Sequence, residues 1–122
     1  MANAFREKSD QTWQEGNQCL GQGMANSAAS RLYYAVFQAV KGFGVAHGDM
    51  TMEEGDRVHA KIIGIVTTHG KGRFWAREKL TDLLGLRVKA DYTPETVDAE
   101  ELKTMVGDAD KIRKHFIALA GR

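Results

Sequence analysis

Six residues in this 122-residue chain combine type and spacing in a way that could support chemistry: Arg31, Tyr34, His59, Arg87, Asp91 and Tyr92. Arg31 stands directly before the apolar block Leu32-Tyr33-Tyr34 and shares a helical stripe with Tyr34, Ala35 and Gln38. Arg87 and Asp91 are four positions apart, so they lie on one helical face, and Tyr92 follows at once. His59 comes one position after the inward-facing Val58. An arginine fork holds phosphate through parallel N–H bonds, and tyrosine offers a stacking face. Histidine can serve as a general base where it reaches a substrate. These residues therefore describe a cationic, aromatic-lined pocket for a phosphate or nucleotide, with His59 and Arg87 the candidates for any catalytic role. The competing reading is a hydrogen-bonded brace at the mouth of a helical bundle, since buried polar groups need partners. Spacing alone favours the brace.

A second candidate is the run from Lys71 to Lys79, where basic residues alternate with Phe74 and Trp75. Such a composition can grip single-stranded nucleic acid by phosphate contacts plus stacking. The simpler reading places Phe74 in the core and the charges on a solvated helix start. Trp75 then becomes the residue whose exposure would mark an interface.

Other chemistries lack their signatures. No glycine-rich strand-to-helix fingerprint or P-loop is present. His47, His59, His69 and His115 never fall at a metal-binding spacing, and no Gly-x-Ser-x-Gly elbow occurs. Neither a metal nor a cofactor is expected. Cys19 is the single cysteine, read as a small half-buried apolar residue. A net charge of +1 is too neutral for strong non-specific nucleic-acid binding but leaves room for a local patch. The first residues lack the apolar run of a signal peptide, and no stretch is long enough to span a bilayer. The expectation is cytoplasmic residence without membrane contact.

The elements that must position these residues are helical. With 43% apolar and 27% charged residues and one proline, the sequence fits a single folded all-α domain over residues 1–122. A first helix is predicted from Ala4 to about Leu20, with Phe5, Thr12, Trp13, Gly16 and Cys19/Leu20 at helical spacing and Gly21-Gln22-Gly23 ending it. Asn26 or Ser27 is expected to cap the second helix, from about Asn26 to Phe43. That helix is apolar over so much of its circumference that other helices must surround it. Gly42, Gly44 and Gly48 read as its end and a loop reaching roughly Gly55. A third helix is expected from about Glu54 to Thr68, and a fourth from Arg73 to about Tyr92 with irregular last turns. Thr93 to Val97 is extended around Pro94, and Asp98 with Glu101 forms an aspartate capping box for a final helix. Short connections favour an up-and-down four-helix bundle with room for a short fifth helix.

Ser27-Ala28-Ala29-Ser30-Arg31-Leu32-Tyr33-Tyr34-Ala35-Val36-Phe37-Gln38-Ala39-Val40 resembles the signature helix of HEPN (higher eukaryote and prokaryote nucleotide-binding) domains. Leu86 to Tyr92 resembles the Arg-x-x-Ala-Asp-Tyr motif of a stand-alone prokaryotic branch, and His59 falls where that branch often carries a histidine. The resemblance covers about Ala4 to Leu119. It implies a helical bundle that often forms homodimers and is frequently encoded beside a minimal nucleotidyltransferase, in toxin–antitoxin-like pairs. It also implies nucleotide or RNA binding through Arg31, Tyr34, His59, Arg87, Asp91 and Tyr92. Many relatives are metal-independent endoribonucleases using an Arg-x4–6-His motif, and here the sequence departs. No arginine has a histidine five to seven positions downstream; Arg57-Val58-His59 and Arg113-Lys114-His115 are too tight. Tyr92 and Thr93 stand where the histidine after Arg87 would fall, and tyrosine, titrating near 10, is a poor base at neutral pH. The reading is a binding module paired with a nucleotidyltransferase-like partner. Its alternatives are an endoribonuclease toxin with a rearranged site and a helical protein without a ligand.

Overall fold

A computed structural model of the chain describes residues 2–51 and 58–121, which form five helices and, among the described residues, no strand. They are α1 (Ala2–Gly21), α2 (Ala25–Ala46), α3 (His59–His69), α4 (Arg73–Tyr92) and α5 (Ala99–Ala120). The expected start of the third helix near Glu54, and the Gly55 end of the preceding loop, lie outside the described residues. Four helices are long, and the short one is α3, set between them rather than appended.

Helix α2 occupies the centre, in contact with all four others, and its closest companion is α1. Its stripe of Ala28, Leu32, Ala35, Val36, Ala39 and Phe43 is buried, and so is the neighbouring Tyr33 and Val40 row. This meets the expectation from its apolar breadth. From α4 come Ala76, Leu80, Leu83 and Leu86; from α5 come Leu102, Ala109, Ile112 and Phe116; and Ile62, Ile65 and Val66 fill in from α3.

Several local expectations are corrected. Helix α2 does not end at Phe43; it continues to Ala46 and carries Gly42 and Gly44 inside it. Those glycines mark close packing. A Cβ on Gly42 would lie 2.8 Å from the Cβ of Phe5 on α1, and one on Gly44 would lie 2.9 Å from Cγ of Met50. Gly16 belongs to the same class, its missing Cβ making way for Leu32. Neither Asn26 nor Ser27 caps α2, which starts at Ala25 with no side-chain cap. Instead Asn26 Oδ1 accepts a 2.8 Å bond from the Val97 amide and pins the segment before α5 onto α2. Helix α4 is regular to Tyr92. Phe74, expected in the core, is 70% exposed, while Trp75 is half-buried and packs against the core. The inward face of α4 starts at Ala76 and continues through Leu80, Leu83 and Leu86.

Asp98 does cap α5, accepting from the Glu100 amide at 2.9 Å. Thr93 is extended ahead of Pro94, as proline's steric demand requires. Among the described residues, no helix is long and apolar enough to cross a membrane.

Candidate functional site

An open cleft of about 640 Å³ runs between α1, α2 and the last turn of α4. Its walls include Lys8 and Glu15 of α1, Ser30, Arg31 and Tyr34 of α2, and Asp91 of α4. Helical periodicity explains the assembly. Ser27, Arg31, Tyr34 and Gln38 follow one face of α2, and Lys8, Gln11 or Thr12, and Glu15 follow the facing side of α1. Arg31 is half-exposed and pairs with Glu15 at 3.1 Å. Across the cleft, Ser30 Oγ donates to Asp91 Oδ2 at 3.1 Å. The lining thus carries both signs of charge, Lys8 and Arg31 with Glu15 and Asp91.

Arg87 forms the structure behind that wall. It is 7% exposed, and its Nη2 donates to the Tyr34 hydroxyl at 2.7 Å and to the Tyr92 hydroxyl at 3.3 Å. Its guanidinium carbon lies 5.0 Å from the Tyr34 ring centroid and 5.2 Å from that of Tyr92, within cation–π range. Its Nε stands 3.2 Å from Asp91 Oδ2, yet the N–H is not aimed at that oxygen and finds no hydrogen-bond acceptor. The contact is therefore an ion pair by charge rather than a directed bond. Asp91 is one-third exposed, so water shares its charge. The Arg87–Asp91 pairing expected from their spacing is present, and two tyrosines complete the network.

His59 lies elsewhere. It opens α3, and its Nδ1 is 2.7 Å from the Tyr33 hydroxyl, with the ring edge-on to Phe37 at 5.6 Å. Burial pushes the Tyr33 hydroxyl well above the ordinary tyrosine value, against the lowering effect of Arg87. The hydroxyl and Nδ1 share one hydrogen bond, whose direction follows the imidazole tautomer. Of the six candidates, the structure brings Arg31, Tyr34 and Asp91 to the cleft. Arg87 stands behind them, while His59 and Tyr92 lie outside the lining. Tyr92 has a 69% exposed ring and touches the network through its hydroxyl. Among the described side chains, none of the basic run at the start of α4 lines the cleft.

The sequence reading missed Lys8, Glu15 and the amide of Gln38. A charged stripe at helical spacing on α1 was the available signal for the first two. It also missed a second arginine brace. Arg113 of α5, 6% exposed, pairs with Asp10 of α1 and with Asp110 at 3.2 Å, and sits 5.2 Å from the Trp13 ring centroid. Buried Ser9 joins it, donating to the Ala35 carbonyl at 2.6 Å. Among the described residues, no three of His, Cys, Asp and Glu gather closely enough to hold a metal ion.

Comparison with known proteins adds one match. No curated protein matches the chain. The family model for the HEPN domain does, over residues 2–117. That span takes in α1 to α4 and most of α5, including every residue of the cleft and of the Arg87 network. The chain belongs to the HEPN domain family.

Proposed function

We propose that this HEPN domain is a non-catalytic binding module that takes the phosphate of a nucleotide or RNA into the cleft between α1, α2 and α4. The observation that carries the reading is the layered arrangement at Tyr34. The tyrosine faces the cleft, a buried arginine holds its hydroxyl from behind, and Arg31 and Lys8 stand at the open side. Lys8 and Arg31 attract phosphate, Tyr34 offers a ring to a base or sugar, and Asp91 and Ser30 can bond sugar hydroxyls. The partner would be a minimal nucleotidyltransferase in a toxin–antitoxin-like pair, with the module acting in the cytoplasm as a homodimer. Those last elements rest on the family resemblance.

The endoribonuclease alternative has less support within a single copy of the chain. Phosphoryl chemistry of that kind needs an arginine and a histidine converging on one phosphate, within hydrogen-bond reach. Here Arg87 is buried beneath tyrosines, and His59 is engaged by Tyr33 away from the cleft.

Titration with AMP followed by amide chemical shifts tests the binding. Perturbations should centre on Lys8, Ser30, Arg31, Tyr34 and Asp91; shifts centred on α5, or none at millimolar AMP, would contradict it. Incubation with labelled RNA in EDTA tests the catalytic alternative. Cleavage lost in both Arg87→Ala and His59→Ala would favour the ribonuclease. Co-purification with a nucleotidyltransferase encoded next door tests the partner.

A further inference from the structure

Phe74 plays no part in the cleft, and it is not an isolated exposed residue. Among the described residues, four large apolar side chains are exposed, and three of them, Phe74, Val88 and Tyr92, belong to α4. With Glu78, Thr81 and Gly85 they recur at alternating steps of four and three residues, and all six positions are exposed. Such steps keep side chains on one straight seam, the pattern by which two helices pack along their length. The buried row of Ala76, Leu80 and Leu83 lies on the other side of the helix. Helix α4 is therefore apolar on two faces, and its own bundle covers one of them. From Phe74 to Tyr92 the outer seam runs about 27 Å, at about 1.5 Å of rise per residue.

The centre of the seam allows close approach. A Cβ on Gly85 would meet no atom within 4 Å, whereas those on Gly16, Gly42 and Gly44 would strike side chains of the same chain. Gly85 and Thr81 thus leave a low saddle between the bulky ends. The seam is also its own complement. Turned about a two-fold axis level with position 83, Phe74 falls opposite Tyr92, Glu78 opposite Val88 and Thr81 opposite Gly85. The flanking charges obey the same rule. Arg77 comes level with Asp91 of a second copy, and Glu78 with its Lys89, each pair on one side of the seam. Symmetry repeats both pairings of opposite sign. Against them, Asp82 meets its own counterpart beside the axis.

We infer that this seam is a two-fold self-association surface. Two copies of the chain pack α4 against α4, antiparallel, and each lends its Arg77 to Asp91 at the rim of the other's cleft. The inference rests on the homodimer part of the proposed function and not on the ligand. The small residues at the centre let the helix axes approach to about 8 Å, the short end of the usual range. Phe74 then packs across the Tyr92 ring of the second copy, whose hydroxyl is held by Arg87. With its flanking rows the contact is roughly 15 Å wide, hence roughly 400 Å² per copy. That is about half the area of a standard interface, which marks a reversible pair with a Kd on the order of 100 μM.

Sedimentation velocity on the full chain, from about 5 μM to about 500 μM, tests the inference. The parent should pass from monomer to dimer across that range. Gly85→Lys and Val88→Lys should each weaken the dimer at least about tenfold. Gly85→Lys should melt no lower than the parent when dilute, since lysine is the better helix former. Asp82→Asn removes the like-charge meeting at the axis and should tighten the dimer about threefold. Arg77→Glu sets like charges against Asp91 and should weaken it by about as much. A dimer that survives both lysine variants would overturn this surface and leave self-association through another face. Sensitivity to the lysine variants without any response to Asp82→Asn or Arg77→Glu would overturn the antiparallel pairing that brings Arg77 to Asp91. A parent that stays monomeric throughout would overturn the surface and the homodimer together, while AMP binding in the cleft would stand or fall on its own titration.

Discussion

Replacing Arg87 separates what the buried guanidinium does for the fold from what it does for the cleft. Alanine removes the 2.7 Å bond to Tyr34, a charge-assisted contact contributing about 1.5–3 kcal/mol. It also removes cation–π contacts with Tyr34 and Tyr92, about 0.5–1 kcal/mol each where partly exposed. Against these stands relief from burying a charge that is 7% exposed and whose Nε is unsatisfied. Asp91, one-third exposed, is rehydrated rather than stranded, so the full penalty of a broken buried pair does not apply. The net loss should be about 2–3 kcal/mol. Scaled to a chain of 122 residues, that is a fall of about 8–12 °C in melting temperature. Arg87→Met keeps the apolar stem and fills the space, and should lose less than about 1 kcal/mol. Urea unfolding and thermal scans by circular dichroism measure both. An alanine variant within about 1 kcal/mol of the parent would refute the reasoning. The methionine variant should still bind AMP less tightly, because the bond from Arg87 to the Tyr34 hydroxyl is gone.

Four further outcomes follow from particular positions. Gln38→Met, tested without ligand, should stabilise the protein by about 1 kcal/mol in urea unfolding, since it removes a buried unsatisfied acceptor; a destabilised variant would mean the amide has a structural partner. Gly42→Ala should cost about 1–3 kcal/mol, because the new Cβ meets Phe5 at 2.8 Å. Gly85→Ala, in open space on α4, should be neutral or stabilising by up to about 1 kcal/mol. The Tyr33 hydroxyl titrates above its unfolded value of 10.0 because burial disfavours the phenolate. The stability from keeping it protonated is therefore fully present below the unfolded value and is lost as pH rises through the folded one. Thermal scans from pH 8 upward should show the parent losing stability above about pH 10, and Tyr33→Phe losing less of it.

What the residues disclosed in advance depended on range. The burial of α2 was legible because apolar side chains surround it, which periodicity alone detects. The Asp98 cap was legible for a similar reason, since a cap acts within one turn. Arg87 and Asp91 could be paired in advance because one helical turn separates them. Gly42 and Gly44 were misread because a helix-ending glycine and one admitting Phe5 or Met50 look identical until the neighbour is known. Asn26 was misread likewise: its side chain serves the Val97 amide, far along the chain. Arg113 with Asp10 and Ser9 was invisible for the same reason, as α1 and α5 meet only in the folded bundle. Phe74 was misplaced at a helix start, where one residue turns the face by about 100°. Within the cleft, Arg31, Tyr34 and Asp91 could be singled out from local type and spacing. The α1 wall was not, because nothing local says which face of α1 opposes Arg31.

The proposed phosphate-binding role of the cleft is tested most directly by isothermal titration of the trinucleotide ApApA into the parent protein and into the Lys8→Ala/Arg31→Ala double variant. Both positions are at the open side of the cleft, and Arg31 is held only by a half-exposed ion pair, so the fold should survive the change. The parent should bind with a salt dependence of about two phosphate contacts, a slope near −1.4 for a single strand. The double variant should lose at least about tenfold in affinity and most of that slope. Binding that is unchanged in the double variant, or absent from the parent, would contradict the assignment of this cleft.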